Sequence, residues 1–145
     1  LWTRQHCLVP STGFFEWQKQ GANREPYLIK VKDQELFSIA GLFDTWLNPQ
    51  TQTVEQTFTI VTCEANELMS EIHNVKKRMP LILSEDQEGK WLSGMVQWDL
   101  SQRFPSERME AISIEKRLIL SKEPNVPEIR KEFVPLSKRQ TNLFD

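Results

Sequence analysis

Glu16 and His73 are the two side chains of this chain whose surroundings suit proton transfer. Glu16 sits in Gly13-Phe14-Phe15-Glu16-Trp17, between aromatics. A carboxyl lodged among aromatic rings loses part of its hydration and can carry a proton near neutral pH, as general acid–base work requires. The plainer alternative is that strand alternation turns Glu16 to solvent, and the residues taken alone favour it. His73 closes an apolar-periodic stretch, Glu64 to Ile72, and precedes Asn74-Val75-Lys76-Lys77-Arg78. Imidazole is the side chain suited to shuttling protons near pH 7. The plainer alternative here is a helix-terminal histidine facing the last carbonyls.

Lys76-Lys77-Arg78 is the densest basic cluster of the chain. Beside exposed aromatics such as Trp17 it could grip phosphates while bases or sugars stack, although such a triplet is usually a solvated loop. Thr62 is expected to cap the following helix, with contact to a phosphate as the second option. Cys7 and Cys63 have apolar neighbours and are expected to pack as small hydrophobes. Two cysteines and two histidines without ligand spacing make neither a disulfide scaffold nor a zinc site. No Gly-rich phosphate loop, Gly-x-Ser-x-Gly elbow or His-Glu-x-x-His motif is present, so no metal and no cofactor is expected.

The elements that must hold these residues belong to one domain, residues 1–145. Eighteen Lys and Arg against twenty Asp and Glu leave a net charge of -2, which excludes a generally basic nucleic-acid binder and leaves room for a local patch. No apolar run approaches the roughly 20 residues that span a bilayer. The start carries no apolar signal-peptide core, so a monomer in the reducing cytoplasm is expected.

Strand patterns fall at Cys7 to Pro10, Phe14 to Trp17, Tyr27 to Val31, Leu36 to Trp46 with a break at Asn48-Pro49, and Val54 to Thr62. In the last, Phe58, Ile60 and Thr62 share one face. A helix follows over Glu64 to Ile72, then a strand over Met79 to Leu83. Ser84 and Gln87 form a capping-box pattern that opens a helix through Trp91 and Leu92. Ala111 to Leu120 reads as one more strand, and Pro124 to Pro135 as irregular. The expected class is α+β, a predominantly antiparallel sheet or barrel with a few short peripheral helices.

Cys7-Leu-Val-Pro-Ser-Thr-Gly-Phe-Phe-Glu16-Trp17 resembles the Cys-Leu-Ile-Pro-Ala-x-Gly-Phe-Tyr-Glu-Trp motif of SOS response-associated peptidase (SRAP) domains. Pro26-Tyr27, Ala40 to Trp46, Phe58 to Asn66, Ile72-His73 and Arg78 to Leu83 follow in the family's order, so the resemblance covers about Leu1 to Leu83. It implies a protein that recognises abasic sites in single-stranded DNA and crosslinks to them. An N-terminal cysteine, exposed when the initiator methionine is removed autoproteolytically, forms a thiazolidine with the ring-opened sugar. By motif position Glu16 matches the family's catalytic glutamate and His73 its histidine. Arg78 matches an arginine on DNA phosphate, Thr62 a threonine lining the site. Lys77 and Trp17 are the remaining expected DNA contacts, and the nucleoid under DNA damage is the expected place of work.

The family's N-terminal cysteine and its Asn-Ala-Arg segment precede the Cys7 motif and are not among these residues; Cys7 matches the motif's internal cysteine. Four residues, Asn74 to Lys77, separate His73 from Arg78, where many relatives have one. The family's late strand falls either at Ile114-Glu115 or at Val134 to Ser137. A non-catalytic single-strand-binding module and a cysteine-type peptidase acting in trans remain the alternative classes.

Overall fold

The computed structural model describes residues 5–94 and 98–134. In chain order the elements are β1 (His6–Ser11), β2 (Phe14–Gln20), β3 (Asn23–Val31), β4 (Phe37–Leu47), β5 (Val54–Ile60), β6 (Thr62–Glu64), α1 (Glu67–Ile72), β7 (Arg78–Pro80), β8 (Ile82–Leu83), α2 (Glu85–Ser93), β9 (Met109–Ser113) and α3 (Lys116–Ile119). β4 is the hub of one sheet, pairing with β1, β5 and β8. β2, β3 and β9 make a second sheet, and β6 pairs with β7 alone. Every pairing is antiparallel. The expected α+β class is the one observed.

The structure departs from the strand pattern at three places, and the first two share a cause. Val54 to Thr62 does not run as one strand, and Met79 to Leu83 is cut in two. Both breaks fall where the sheets meet. Val61 N–H donates to the Ala40 carbonyl, Ala40 N–H to the Leu81 carbonyl and Leu81 N–H to the Val61 carbonyl, each at 2.8 Å. All three residues are buried, so this closed ring of bonds satisfies backbone groups that water cannot reach. Thr62 therefore starts β6 instead of continuing the Phe58–Ile60 face. The third departure is Ala111 to Leu120: pairing with β3 ends at Ser113, Ile114 turns inward, and α3 follows. Ile114-Glu115 thus lies just past β9; the other late-strand option, Val134 to Ser137, falls outside the described residues from 135 on.

The core gathers Ile29, Val31, Ile39, Met69, Met79, Ile82 and Trp91 from all three sheets and the first two helices. Trp91 is fully buried, and its indole N–H donates to the Cys7 carbonyl at 2.9 Å, pinning α2 across β1 and β4. His6 meets its ring edge-on at 4.4 Å. β1 and β4 approach closely because Gly41 faces Cys7: a Cβ on Gly41 would stand 2.8 Å from the Cys7 sulfur. The expected capping box is present, with Ser84 N–H donating to Gln87 Oε1 at 3.0 Å.

One face of the β4–β5 hairpin stays open. Phe43 pairs with Phe58 and Leu47 with Val54, with Ile60 on the same side, and all five are exposed. No described helix is long and apolar enough to cross a membrane.

Asn66, not Thr62, caps α1. Asn66 Oδ1 accepts the Met69 N–H at 2.9 Å, and its Nδ2 donates to the Phe104 carbonyl at 2.7 Å. Asn66 is 5% exposed, so Asn66→Ala removes the cap and strands a buried carbonyl together. A loss of about 2 kcal/mol is expected in chemical denaturation. A midpoint unchanged from the parent would mean that α1 is held by packing alone.

Candidate active site

β2 delivers Glu16. Its register with β3 sets Phe14 opposite Ile29, Glu16 opposite Tyr27 and Trp17 opposite Pro26. Phe14 packs on the main core while Phe15 is 44% exposed. The alternation therefore runs opposite to the solvent-facing reading of Glu16: the carboxylate shares Phe14's side of the strand. Its side chain is 22% exposed, and Oε1 accepts the N–H of Trp17 at 2.8 Å. That N–H lies on the edge of β2 away from β3, with no β-partner among the described residues, so the carboxylate caps a donor the described sheet leaves open.

α1 delivers His73. The helix spans only six residues, Glu67–Ile72, with Met69 and Ile72 buried against the core and His73 at its C-cap. His73 N–H donates to the Met69 carbonyl at 2.8 Å. Its ring Nδ1 stands 2.9 Å from the Arg78 carbonyl and 3.7 Å from Glu16 Oε2. A carbonyl only accepts, so Nδ1 carries the proton and, in the neutral ring, the lone pair sits on Nε2. The imidazole does not serve the helix carbonyls; it spans the loop to Arg78.

The loop between them is tight. Lys77 N–H donates back to the His73 carbonyl at 2.9 Å, and the Lys77 carbonyl accepts from Ala65 N–H at 3.0 Å. Lys77 takes a left-handed backbone, φ 49°, a conformation that disfavours side chains other than glycine or asparagine. Its side chain is exposed. At β7, Arg78 Nε donates to Thr62 Oγ1 at 3.1 Å, Nη2 donates to the Thr62 carbonyl at 3.1 Å, and Nη2 also meets Oγ1. One edge of the guanidinium is thus committed to Thr62, and the cation is exposed.

Glu16, His73, Arg78 and Thr62 come together by these contacts, with Lys77 on the same loop. Trp17 does not share Glu16's face: alternation puts its side chain on the other side of β2. Sequence reading missed Gln18 and Asn74. Gln18 Nε2 donates to the Glu71 carbonyl at 2.9 Å, and Asn74 bonds both backbone groups of Lys19. Both are polar residues adjacent in sequence to a site residue or one removed, but nothing in the pattern marks their partners.

Burial pushes both thiols up from their ordinary pKa, half-buried Cys7 and buried Cys63 alike. Neither is poised as a thiolate nucleophile. Among the described residues no group of three or more His, Cys, Asp or Glu could hold a metal ion.

The family model for SOS response associated peptidase (SRAP) matches residues 1–119. The chain is 34% identical over 131 residues to abasic site processing protein YoqW of Bacillus subtilis (strain 168), covering 86% of this chain and 56% of that protein. It is 36% identical over 107 residues to abasic site processing protein HMCES of Gallus gallus, covering 61% of this chain and 31% of that one. The chain thus spans about half or less of these relatives. A crystal structure of a protein from Bacteroides thetaiotaomicron superposes with a TM-score of 0.84 at 40% identity, covering 91% of this chain and 58% of that one.

Proposed function

The chain belongs to the SOS response associated peptidase (SRAP) family, and from that membership we propose that the protein recognises abasic sites in single-stranded DNA and captures them covalently. The observation that carries the proposal is the meeting of Glu16 with His73 at 3.7 Å, from two motifs far apart in the chain, beside the Arg78–Thr62 pair. The names of the relatives, abasic site processing proteins, support it.

In the proposed reaction an N-terminal cysteine, freed by removal of the initiator methionine, attacks the open-chain sugar aldehyde through its amine. The carbinolamine loses its hydroxyl as water, leaving an imine. The thiol sulfur then bonds to the imine carbon, its proton passes to nitrogen, and a thiazolidine closes. Loss of water needs a nearby acid, and Glu16 fills that role. His73, with Nδ1 engaged at the Arg78 carbonyl, presents Nε2 for opening the sugar and for reversal of the adduct. Arg78, Lys77 and Thr62 hold phosphate. Trp17 stacks only where the strand of DNA wraps round the β2 edge. Residues 1–145 act within a single SRAP-type domain whose N-terminal segment lies outside them, as a monomer at the nucleoid, and the proposed steps call for no metal or cofactor.

The test is intact-mass measurement of the full-length protein after incubation with single-stranded DNA bearing one abasic site. A denaturant-stable adduct that requires the abasic site is expected. Binding without any gain in mass would reduce the protein to a single-strand-binding module.

Arg78 allows a separate check. Exchanging the guanidinium for a methyl removes one cation from the DNA-facing patch. Arg78→Ala is expected to weaken binding to single-stranded DNA and to flatten the plot of log affinity against log salt by about 0.7 for one lost phosphate contact. A salt titration with an unchanged slope would show that Arg78 serves only to hold Thr62.

A further inference from the structure

The loop that carries His73 is tied to the open edge of β2 by bonds outside the chemistry described above. Asn74 Nδ2 donates to the Lys19 carbonyl at 2.9 Å, and Asn74 Oδ1 accepts the Lys19 N–H at 3.1 Å. One carboxamide thus copies the donor–acceptor pair that a neighbouring strand presents to a sheet edge. Beside it, Gln18 Nε2 donates to the Glu71 carbonyl at 2.9 Å, and Gln18 Oε1 in turn accepts from Gln20 Nε2 at 2.7 Å and from the Tyr27 hydroxyl at 3.3 Å. Residues two apart on a strand point their N–H groups to the same side. The Trp17 N–H holds Glu16, and the Lys19 N–H holds Asn74. The same stretch of backbone therefore positions the carboxylate and the anchor of the histidine's loop.

We propose that Asn74 is a positioning residue that fixes the His73 ring against Glu16. The proposal rests on the proton-carrying role of His73 given above. The other bonds of the loop tie it to α1, to itself and to Ala65. α1 is six residues long, and His73 lies at its C-cap, just beyond the last helical residue. Lys77 stores backbone strain at φ 49°, which the surroundings must hold. The Lys77 N–H and carbonyl bonds tie the loop to itself and to Ala65, not to β2. Asn74 is the loop side chain that reaches β2, and it does so through both of its polar atoms. Without it the loop after His73 loses its tie to β2, and the 3.7 Å spacing between His73 Nδ1 and Glu16 Oε2 rests on the Gln18–Glu71 bond and the Arg78 carbonyl.

The test compares Asn74→Ala with the parent in two readouts on the full-length protein. The first is NMR of protein labelled at histidine. The His73 Nδ1 proton, bonded to the Arg78 carbonyl, is expected as a downfield, exchange-protected ring resonance in the parent and to be lost in Asn74→Ala. Asn74→Asp keeps the acceptor for the Lys19 N–H but sets a carboxylate oxygen against the Lys19 carbonyl; it is expected to lose the resonance too. The second readout is the rate of abasic-site crosslinking or its reversal, whichever His73→Ala alters. Asn74→Ala is expected to slow that step by about ten- to a hundred-fold through misplacement alone. In a His73→Ala background the same change should add less than about two-fold, because the residues act as a unit. A retained resonance, or rate effects that multiply, overturns the proposal and leaves Asn74 a structural tie. Parent-like rates in His73→Ala alone would instead sink the proton-carrying role, while the NMR arm still decides whether Asn74 sets the ring.

Discussion

Glu16→Gln is expected to lower the rate of the proposed abasic-site capture by about 10²-fold or more, the share usual for a positioned acid or base. It is expected to slow the proposed removal of the initiator methionine to a similar degree. Gln keeps the size of the side chain and an oxygen for the Trp17 N–H, which Glu16 Oε1 accepts at 2.8 Å. What it loses is the ability to give and take a proton. Both proposed reactions depend on that ability: the carbinolamine must shed water, and self-cleavage must activate the cysteine and protonate a departing amine. Stability should stay within about 0.5 kcal/mol of the parent, since no buried contact is removed. Mass spectrometry of methionine removal and of adduct formation reads both rates. Parent rates in Glu16→Gln would make the carboxylate only a cap on the β2 edge.

His73→Ala is expected to part the two reactions that Glu16→Gln slows together. Methionine removal should continue near the parent rate, while crosslinking or its reversal changes on the order of 10²-fold. The reason lies in the ring's orientation. Nδ1 faces the Arg78 carbonyl at 2.9 Å, so the free lone pair is on Nε2, available to a sugar hydroxyl. His73→Asn supplies a control, because an amide N–H can still bond the Arg78 carbonyl but cannot shuttle a proton. If Asn restores the parent rate, the histidine acts by holding Arg78 in place. Equal slowing of methionine removal in His73→Ala would show that the imidazole and the carboxylate serve one step.

Several elements were legible because their signals are local. The β1 and β2 strands follow from short apolar runs around Ser11-Thr12-Gly13, and α2 from the Ser84–Gln87 capping box. Glu16, His73, Thr62 and Arg78 were legible as motif positions. Their orientation was not. Alternation alone allows Glu16 to face either side of β2, and the choice is made by Phe14 rather than Phe15 packing on the main core. Thr62 was expected to cap α1, but Asn66 reaches both the Met69 N–H and the Phe104 carbonyl and takes that place. Thr62 is thereby left to Arg78.

What the sequence by itself determined, then, is what neighbours along the chain decide: the α+β class, most strand positions and the cap of α2, together with a set of candidate residues for moving protons or holding phosphate. Tertiary structure alone decided which of them meet. The ring of bonds among Ala40, Val61 and Leu81 breaks two apolar runs that alternation would have continued. The open edge of β2 takes in Asn74 and brings His73 to Glu16. The first choice depends on which buried backbone groups need partners once the sheets pack, the second on an exposed strand edge, and no local pattern carries that information.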